Sequence, residues 1–426
     1  MKRLVFLYGI IILFSISLSA QSINGRFSSS LYSFQRYDTV NVSNTYAQTF
    51  QMLNLNINQG NYSLRTYMNF EGVLSKDIKN DPTLRFYNLY FEARKILDVA
   101  TLKIGRQPIF NSIAGGIYDG IDLAVKKGDY KITGYYGGNV PGYQKLKLID
   151  DWSNNFIYGG KFTTTALDNF QMSLSYVNKN FKAQDYYATR LDADLNPITV
   201  LIRNNSNQYR FASGEINYYL PDELSFNTRL DYDLNFEEVS KFEIYGNYNK
   251  LSKLKFNLYY NYREPRIRYN SIFSVFNYGN TQEVEAGADY IINKTFTVTG
   301  KVGDVIYKDK NSQRATLALA TNYGSISYRK TFGYEGELDA VSLYGAYSFF
   351  EGLITPSLGV AYTSYKLSAD SEKNNLTTLL AGCNYRPWKL LSFDLQGQFM
   401  NNKIYKNDFR LFFKINYWFN TILGLM

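Results

Sequence analysis

Along most of this chain apolar and polar residues alternate one for one. In Tyr62-Ser-Leu-Arg-Thr-Tyr-Met-Asn-Phe-Glu71, one face carries Tyr62, Leu64, Thr66, Met68 and Phe70; the other carries Ser63, Arg65, Tyr67, Asn69 and Glu71. Successive side chains of a strand point to opposite sheet faces, so this period predicts half-buried β-strands. The same pattern returns from Glu223 to Leu234, where Leu224, Phe226, Leu230 and Tyr232 oppose Asn227, Arg229, Asp231 and Asp233. It returns again in Ser252–Arg263 and in Phe409–Phe419. Each run is about 10 residues, the length at which a tilted strand crosses a bilayer.

The connections alternate as well. Short turns are expected at Asn58–Asn61, Lys127–Asp129, Pro221–Glu223, Asn293-Lys294, Glu351-Gly352 and Arg386-Pro387. Between them fall longer polar stretches at Gln35–Thr45, Ser75–Thr83, Gly138–Asn154, Asn178–Asn207, Glu264–Thr281 and Leu367–Asn375. Short turns at one end and long loops at the other describe an outer-membrane barrel. The expected fold is all-β, a single transmembrane antiparallel β-barrel of about 22 strands, within roughly 16 to 24. A soluble sandwich shows the same alternation, but it explains neither the alternating loop lengths nor an aromatic face on nearly every strand. Alternation begins within a few residues of Ala20, so no plug domain is expected.

Composition narrows the chemistry. The 426 residues include 40 Tyr and 30 Phe but no His and one Cys, Cys383. Without His the usual general base, zinc ligand and haem ligand are missing, and one Cys forms no disulfide framework. Lys2-Arg3, the apolar run Leu4–Leu18 and Ser19-Ala20 have the form of a cleaved signal peptide. The expected division is therefore 1–20 signal peptide and 21–426 outer-membrane β-barrel, exported to the cell outer membrane. The net charge is +9, with Lys2 and Arg3 inside the leader.

The most distinctive passage runs from Leu84 to Gly120. It holds Leu84–Arg94, then Leu102-Lys-Ile-Gly-Arg-Gln107, a Gly-rich stretch and Tyr118-Asp-Gly120. This passage resembles porin-like barrels of Gram-negative outer membranes, including the alginate-export type, which carry a similar "YxxA…LxxGRQ…G…DG" run. The resemblance implies a loop narrowing the barrel after strand 5, with Phe110, Asn111, Gly115, Gly116, Tyr118 and Asp119 as constriction candidates. A plain external hairpin, its glycines serving only the turn, is the other reading. The final strand Phe409–Phe419 resembles the terminal signal of these barrels, which implies insertion by the barrel-assembly machinery.

Alternation puts charges of both signs on the inner face. The pore-lining candidates are Arg65, Glu71, Glu92, Arg94, Lys103, Arg229, Asp231, Lys253 and Lys255. An Arg or Lys facing lipid at mid-depth costs about 2–4 kcal/mol, so these groups belong to water or to one another. Arg65 and Lys103 flank the strand of Glu92 and Arg94, so there either a net basic patch remains or pairing cancels the charge. Asp192-x-Asp194-x-Asn196 opens like a calcium loop, but Pro197 stands where Gly is needed and Arg203 where Glu is. No catalytic group, cofactor, metal or nucleic-acid site is expected. The expected function is a channel for passive or facilitated diffusion of small hydrophilic solutes, anions or saccharides, in contact with outer-membrane lipid, with a homo-oligomer compatible. The alternatives are a sheath around a secretion or electron-transfer complex, and a polysaccharide-export channel.

Overall fold

The computed structural model describes residues 21–39, 42–75, 83–109, 115–142, 146–181, 186–192, 194–202, 208–269, 278–308, 310–333, 336–368, 371–403 and 407–423. The expected leader, and Phe110 and Asn111, lie outside the described residues. The first nine strands are β1 (Gln21–Thr39), β2 (Val42–Gln59), β3 (Tyr62–Val73), β4 (Thr83–Ile96), β5 (Ala100–Ile109), β6 (Gly116–Lys127), β7 (Tyr130–Val140), β8 (Phe156–Thr164) and β9 (Phe170–Lys179). A separate hairpin of β10 (Tyr186–Leu191) and β11 (Pro197–Ile202) follows. The sheet resumes with β12 (Tyr209–Leu220), β13 (Leu224–Asp233), β14 (Glu238–Tyr248), β15 (Leu254–Arg263), β16 (Thr281–Ile291), β17 (Phe296–Tyr307) and β18 (Lys310–Thr321). It ends with β19 (Gly324–Gly333), β20 (Glu337–Ala346), β21 (Ile354–Lys366), β22 (Asn374–Trp388), β23 (Leu391–Asn402) and β24 (Asp408–Leu423).

All but β10 and β11 form one 22-stranded antiparallel sheet, as expected from the alternation. β9 pairs directly with β12, so the β10–β11 hairpin is an insertion at the long-loop end. The sheet closes: β1 bonds β2 on one side and β24 on the other, from Gln21↔Leu423 to Ser33↔Leu411. Closure leaves no unpaired strand edge, which is the condition for a sheet to stand in hydrocarbon. Among the described residues the polypeptide goes into wall, turns and loops, with one three-residue 3-10 turn at Phe350–Gly352 and no plug domain.

Register explains the two faces. Outward positions such as Leu174, Val302 and Leu358 leave well over half their surface uncovered, at 67%, 62% and 59%. Water would penalise that much apolar area, whereas lipid does not. The tight turns need backbone that L-residues avoid: Gly60 (φ 55) and Gly128 (φ 56) occupy the left-handed region in the β2–β3 and β6–β7 turns.

Several expected boundaries move. Gln35–Thr45 is mostly strand, because β1 continues to Thr39 and β2 starts at Val42. The pairing Tyr37↔Ser43 extends this hairpin past the rim, with backbone bonds that need no third strand. The turn expected at Arg386-Pro387 sits beyond Trp388, which pairs with Leu391; a register irregularity after Tyr385 absorbs the proline. A further irregularity in β4 leaves Tyr87 unopposed, since Tyr67 pairs with Asn88 and Met68 with Phe86. That bulge reverses the phase of the strand beyond it.

Candidate pore wall

The inner face is a ladder of ion pairs. Arg65 on β3 reaches Glu92 on β4 at 2.8 Å. Lys103 lies opposite Glu92 on one side and Asp122 on the other, with its ammonium 5.9 Å from the Tyr90 ring. Arg229 bonds both oxygens of the fully buried Asp231 at 2.9 Å, and Glu215 lies between Arg229 at 4.0 Å and Lys161 at 2.6 Å. On β16–β18, Arg314 bridges Glu283 and Glu285, and Lys301 reaches Glu285 at 3.3 Å. Each charge is placed by one-residue alternation and held either by a residue two positions along its own strand, as Arg229 by Asp231, or by a partner one or two strands away, at about 4.8 Å per strand.

The remaining wall candidates take quieter positions. Glu71 accepts a hydrogen bond from the Asn69 amide at 3.0 Å. Arg94, at the short-turn end, donates to Ser63 Oγ at 3.0 Å. Lys255 faces Asp289 across the β15–β16 register. Lys253 precedes β15 and lies in the exposed turn rather than in a strand.

The described residues of the Gly-rich passage are mostly strand. Gly116, Tyr118 and Asp119 belong to β6 itself, and Gly115 immediately precedes it. The Gly115 carbonyl accepts from Lys179 Nζ at 2.8 Å. Tyr118 points into the barrel, almost fully buried with Ile157, Val177 and Phe211. Asp119 is on the opposite face, in phase with Ile121 and across from Gly138. There Arg106 Nε and Nη2 grip its two oxygens at 2.7 and 2.9 Å. Segment 146–155 folds back over this pair on the outer face. The Lys147 carbonyl accepts from Arg106 at 2.8 Å, the Ile149 amide donates to Asp119 at 3.0 Å, and Trp152 meets Tyr136 edge-on. Within the same segment Lys147 hydrogen-bonds Asp150, which holds that carboxyl below the usual carboxylate range.

The glycines of the passage serve close approach. Gly105, Gly120 and Gly137 face one another across β5, β6 and β7. A Cβ on Gly120 would lie 2.2 Å from the Tyr136 carbonyl oxygen, and one on Gly137 2.8 Å from the Tyr118 ring. The motif's glycines thus leave room for β5, β6 and β7 to approach closely, while its Arg and Asp pin a loop outside the wall.

Alternation taken strand by strand would have found Lys161, Glu215 and Arg314. It would not have found Arg85 and Tyr87, which face the lumen only because of the β4 bulge. The wall is also uneven around the ring. Inward positions on β20, β21 and β22 carry small or uncharged groups such as Ala340, Ser342, Thr363, Gly359 and Thr378.

A closed antiparallel barrel with an apolar outer band and a charged, hydrogen-bonded inner face is a transmembrane β-barrel of the porin-like kind. No family model and no curated protein sequence matches the chain. Similar solved structures include the P pilus usher PapC translocation pore, with TM-score 0.48 and 10% identity over 94% of this chain and 100% of that one. OccAB4 of Acinetobacter baumannii gives 0.43 and 8% over 95% and 99%, and OpdQ of Pseudomonas aeruginosa 0.41 and 10% over 94% and 97%.

Proposed function

We propose that this chain is an outer-membrane channel for passive or facilitated passage of small hydrophilic solutes, without bond chemistry of its own. The observation that supports it is the closed barrel whose inner face carries charges, amides and hydroxyls. A wall of that kind keeps a water column hydrated, and fixed charges beside low-dielectric protein sort the ions within it. The exported chain is inserted by the barrel-assembly machinery and stands in outer-membrane lipid. Purified protein in planar bilayers is expected to give discrete conductance steps; a barrel that never conducts refutes the proposal and favours a sheath around a partner.

Within this reading the solutes are anions or saccharides. The anion preference rests on Arg65, Lys103 and Arg94 gathered around Glu92. Asp122 opposite Lys103 offsets part of that charge. The reversal potential under a salt gradient is expected on the anion side and to move toward zero in Arg65→Ala/Lys103→Ala. An unmoved potential would leave these groups a structural part of the wall.

A further inference from the structure

Aromatic rings are expected on the lipid face of such a barrel, yet one arc of the lumen is paved with them. Tyr32 and Phe34 on β1, Phe50 on β2, Tyr67 on β3 and Tyr87 on β4 all occupy inward register positions. Their planes are nearly parallel where they meet. Tyr32 and Phe34 stack at 5.1 Å and 19°, and Tyr67 and Tyr87 at 5.0 Å and 25°. Tyr87 reaches that place only through the bulge; in unbroken alternation Leu84 and Phe86 would face the lumen and Arg85 and Tyr87 the lipid. A bulge re-aims a side chain at the cost of ladder pairing, so its effect here is to complete the row.

The rings follow the direction of passage. Phe34 is at the long-loop end of β1, and Tyr67 is level with Arg26 through Asn54. Eight residues of strand separate the two levels, about 27 Å along the strand at ~3.4 Å per residue, or about 20 Å along the barrel axis at a tilt of ~40°, the larger part of the hydrocarbon core. Amides fill the intervals: Asn54 lies beside Tyr67 and Gln48 beside Tyr32, and the Asn56 amide donates to Asn24 at 3.2 Å. The Arg65–Glu92 pair borders the row on β3–β4, and the Arg85 guanidinium lies 5.0 Å from the centre of the Tyr87 ring; the ion pairs of β14–β17, such as Lys241–Glu243, are half a turn of the ring away.

We infer that β1–β4 form a track for linear oligosaccharides, whose apolar sugar faces slide over Tyr32, Phe34, Phe50, Tyr67 and Tyr87 while their hydroxyls exchange hydrogen bonds with the flanking amides. A sugar ring has an apolar C–H face and a polar hydroxyl rim, and it matches a wall with both features side by side. An isolated aromatic solute would use one ring. A chain long enough to touch several rings uses the length of the row. The inference rests on the channel reading above, and the experiment separates the two.

Full-length protein in planar bilayers is titrated with maltohexaose, and polyethylene glycol of similar size serves as the steric control. Maltohexaose is expected to interrupt the current at concentrations where the polymer does not. Tyr67→Ala/Tyr87→Ala should raise the half-blocking concentration about ten-fold, the loss of two ring contacts. Tyr67→Phe/Tyr87→Phe, which keeps both flat faces, should stay within about two-fold of the wild type. Should the alanine pair fail to fold, Tyr67→Leu/Tyr87→Leu keeps the apolar bulk without the flat faces and should weaken block as the alanines would. A conducting barrel that ignores maltohexaose, that is blocked by benzoate instead, or whose block is unchanged in the alanine or leucine pair overturns the track. If the barrel does not conduct, the channel reading fails by itself. Calorimetry of maltohexaose with the detergent-solubilised protein then decides the track, which stands on binding that the alanine or leucine pair loses and falls if no binding is seen.

Discussion

Asp119→Ala is the most informative single substitution for the wall itself. Arg106 and Asp119 are 3% and 6% exposed at the side chain, and the pair is bidentate, with Nε and Nη2 each on one carboxylate oxygen. Removing one member of a buried pair leaves the other charged and dry, which costs about 3–5 kcal/mol. The loop adds to this, because the Ile149 amide loses its acceptor and the Lys147 carbonyl is held by a cation that no longer has a fixed position. Asp119→Ala should therefore lower the free energy of urea unfolding in lipid vesicles by about 3–5 kcal/mol. Trp152, which covers Tyr136 and donates to the Ile149 carbonyl, reports on the loop. With Trp388→Phe and Trp418→Phe as background, its emission should move to the red as segment 146–155 lifts away. The double variant Arg106→Met/Asp119→Leu should recover most of the loss, since matched apolar groups leave no orphan charge. Single-channel conductance should change little, because the pair faces outward. A loss below about 1 kcal/mol with unshifted Trp152 emission would refute this account of the pair, since that is the value of an exposed ion pair.

Three further outcomes follow from other parts of the wall. Gly120→Val should block folding or cost several kcal/mol by urea titration, because its Cβ would meet the Tyr136 carbonyl at 2.2 Å, and backbone cannot swing aside as a side chain can. Arg314→Met leaves Glu283 and Glu285 without their shared cation, so the reversal potential should move toward cations; an unchanged potential would place this cluster away from the ion path. Asp150 is held below the ordinary carboxylate range by its hydrogen bond to Lys147, so this contact stabilises the loop above that range and is lost as pH falls through the lowered value. Carbonyl-detected NMR titration should show Asp150 moving up toward the ordinary range in Lys147→Met.

The amino-acid sequence alone determined the architecture. Period-two alternation is a local property, written into each strand by which side faces lipid and which faces water. Runs such as Tyr62–Glu71 and Leu224–Asp233 therefore gave strand, face and approximate count, and through the count a closed ring of 22. The inward placement of Arg65, Glu92, Lys103, Arg229 and Asp231 followed from the same local rule.

Only tertiary structure decided what broke that rule or depended on a distant partner. The bulge at Tyr87 leaves no mark in the spacing of Leu84–Glu92, because the extra residue is defined against β3 and not within β4. The resemblance to porin-like barrels implied a constriction loop that included Asp119. Pairing with β5 and β7 made it a strand residue on the outer face, where Arg106 and segment 146–155 enclose it. Which carboxylate neutralises which cation depended likewise on register between strands, as with Lys161 and Glu215, 54 residues apart. Alternation assigns a side chain to a face; only the neighbouring strand's register and the loop folded over it decide what the side chain meets there.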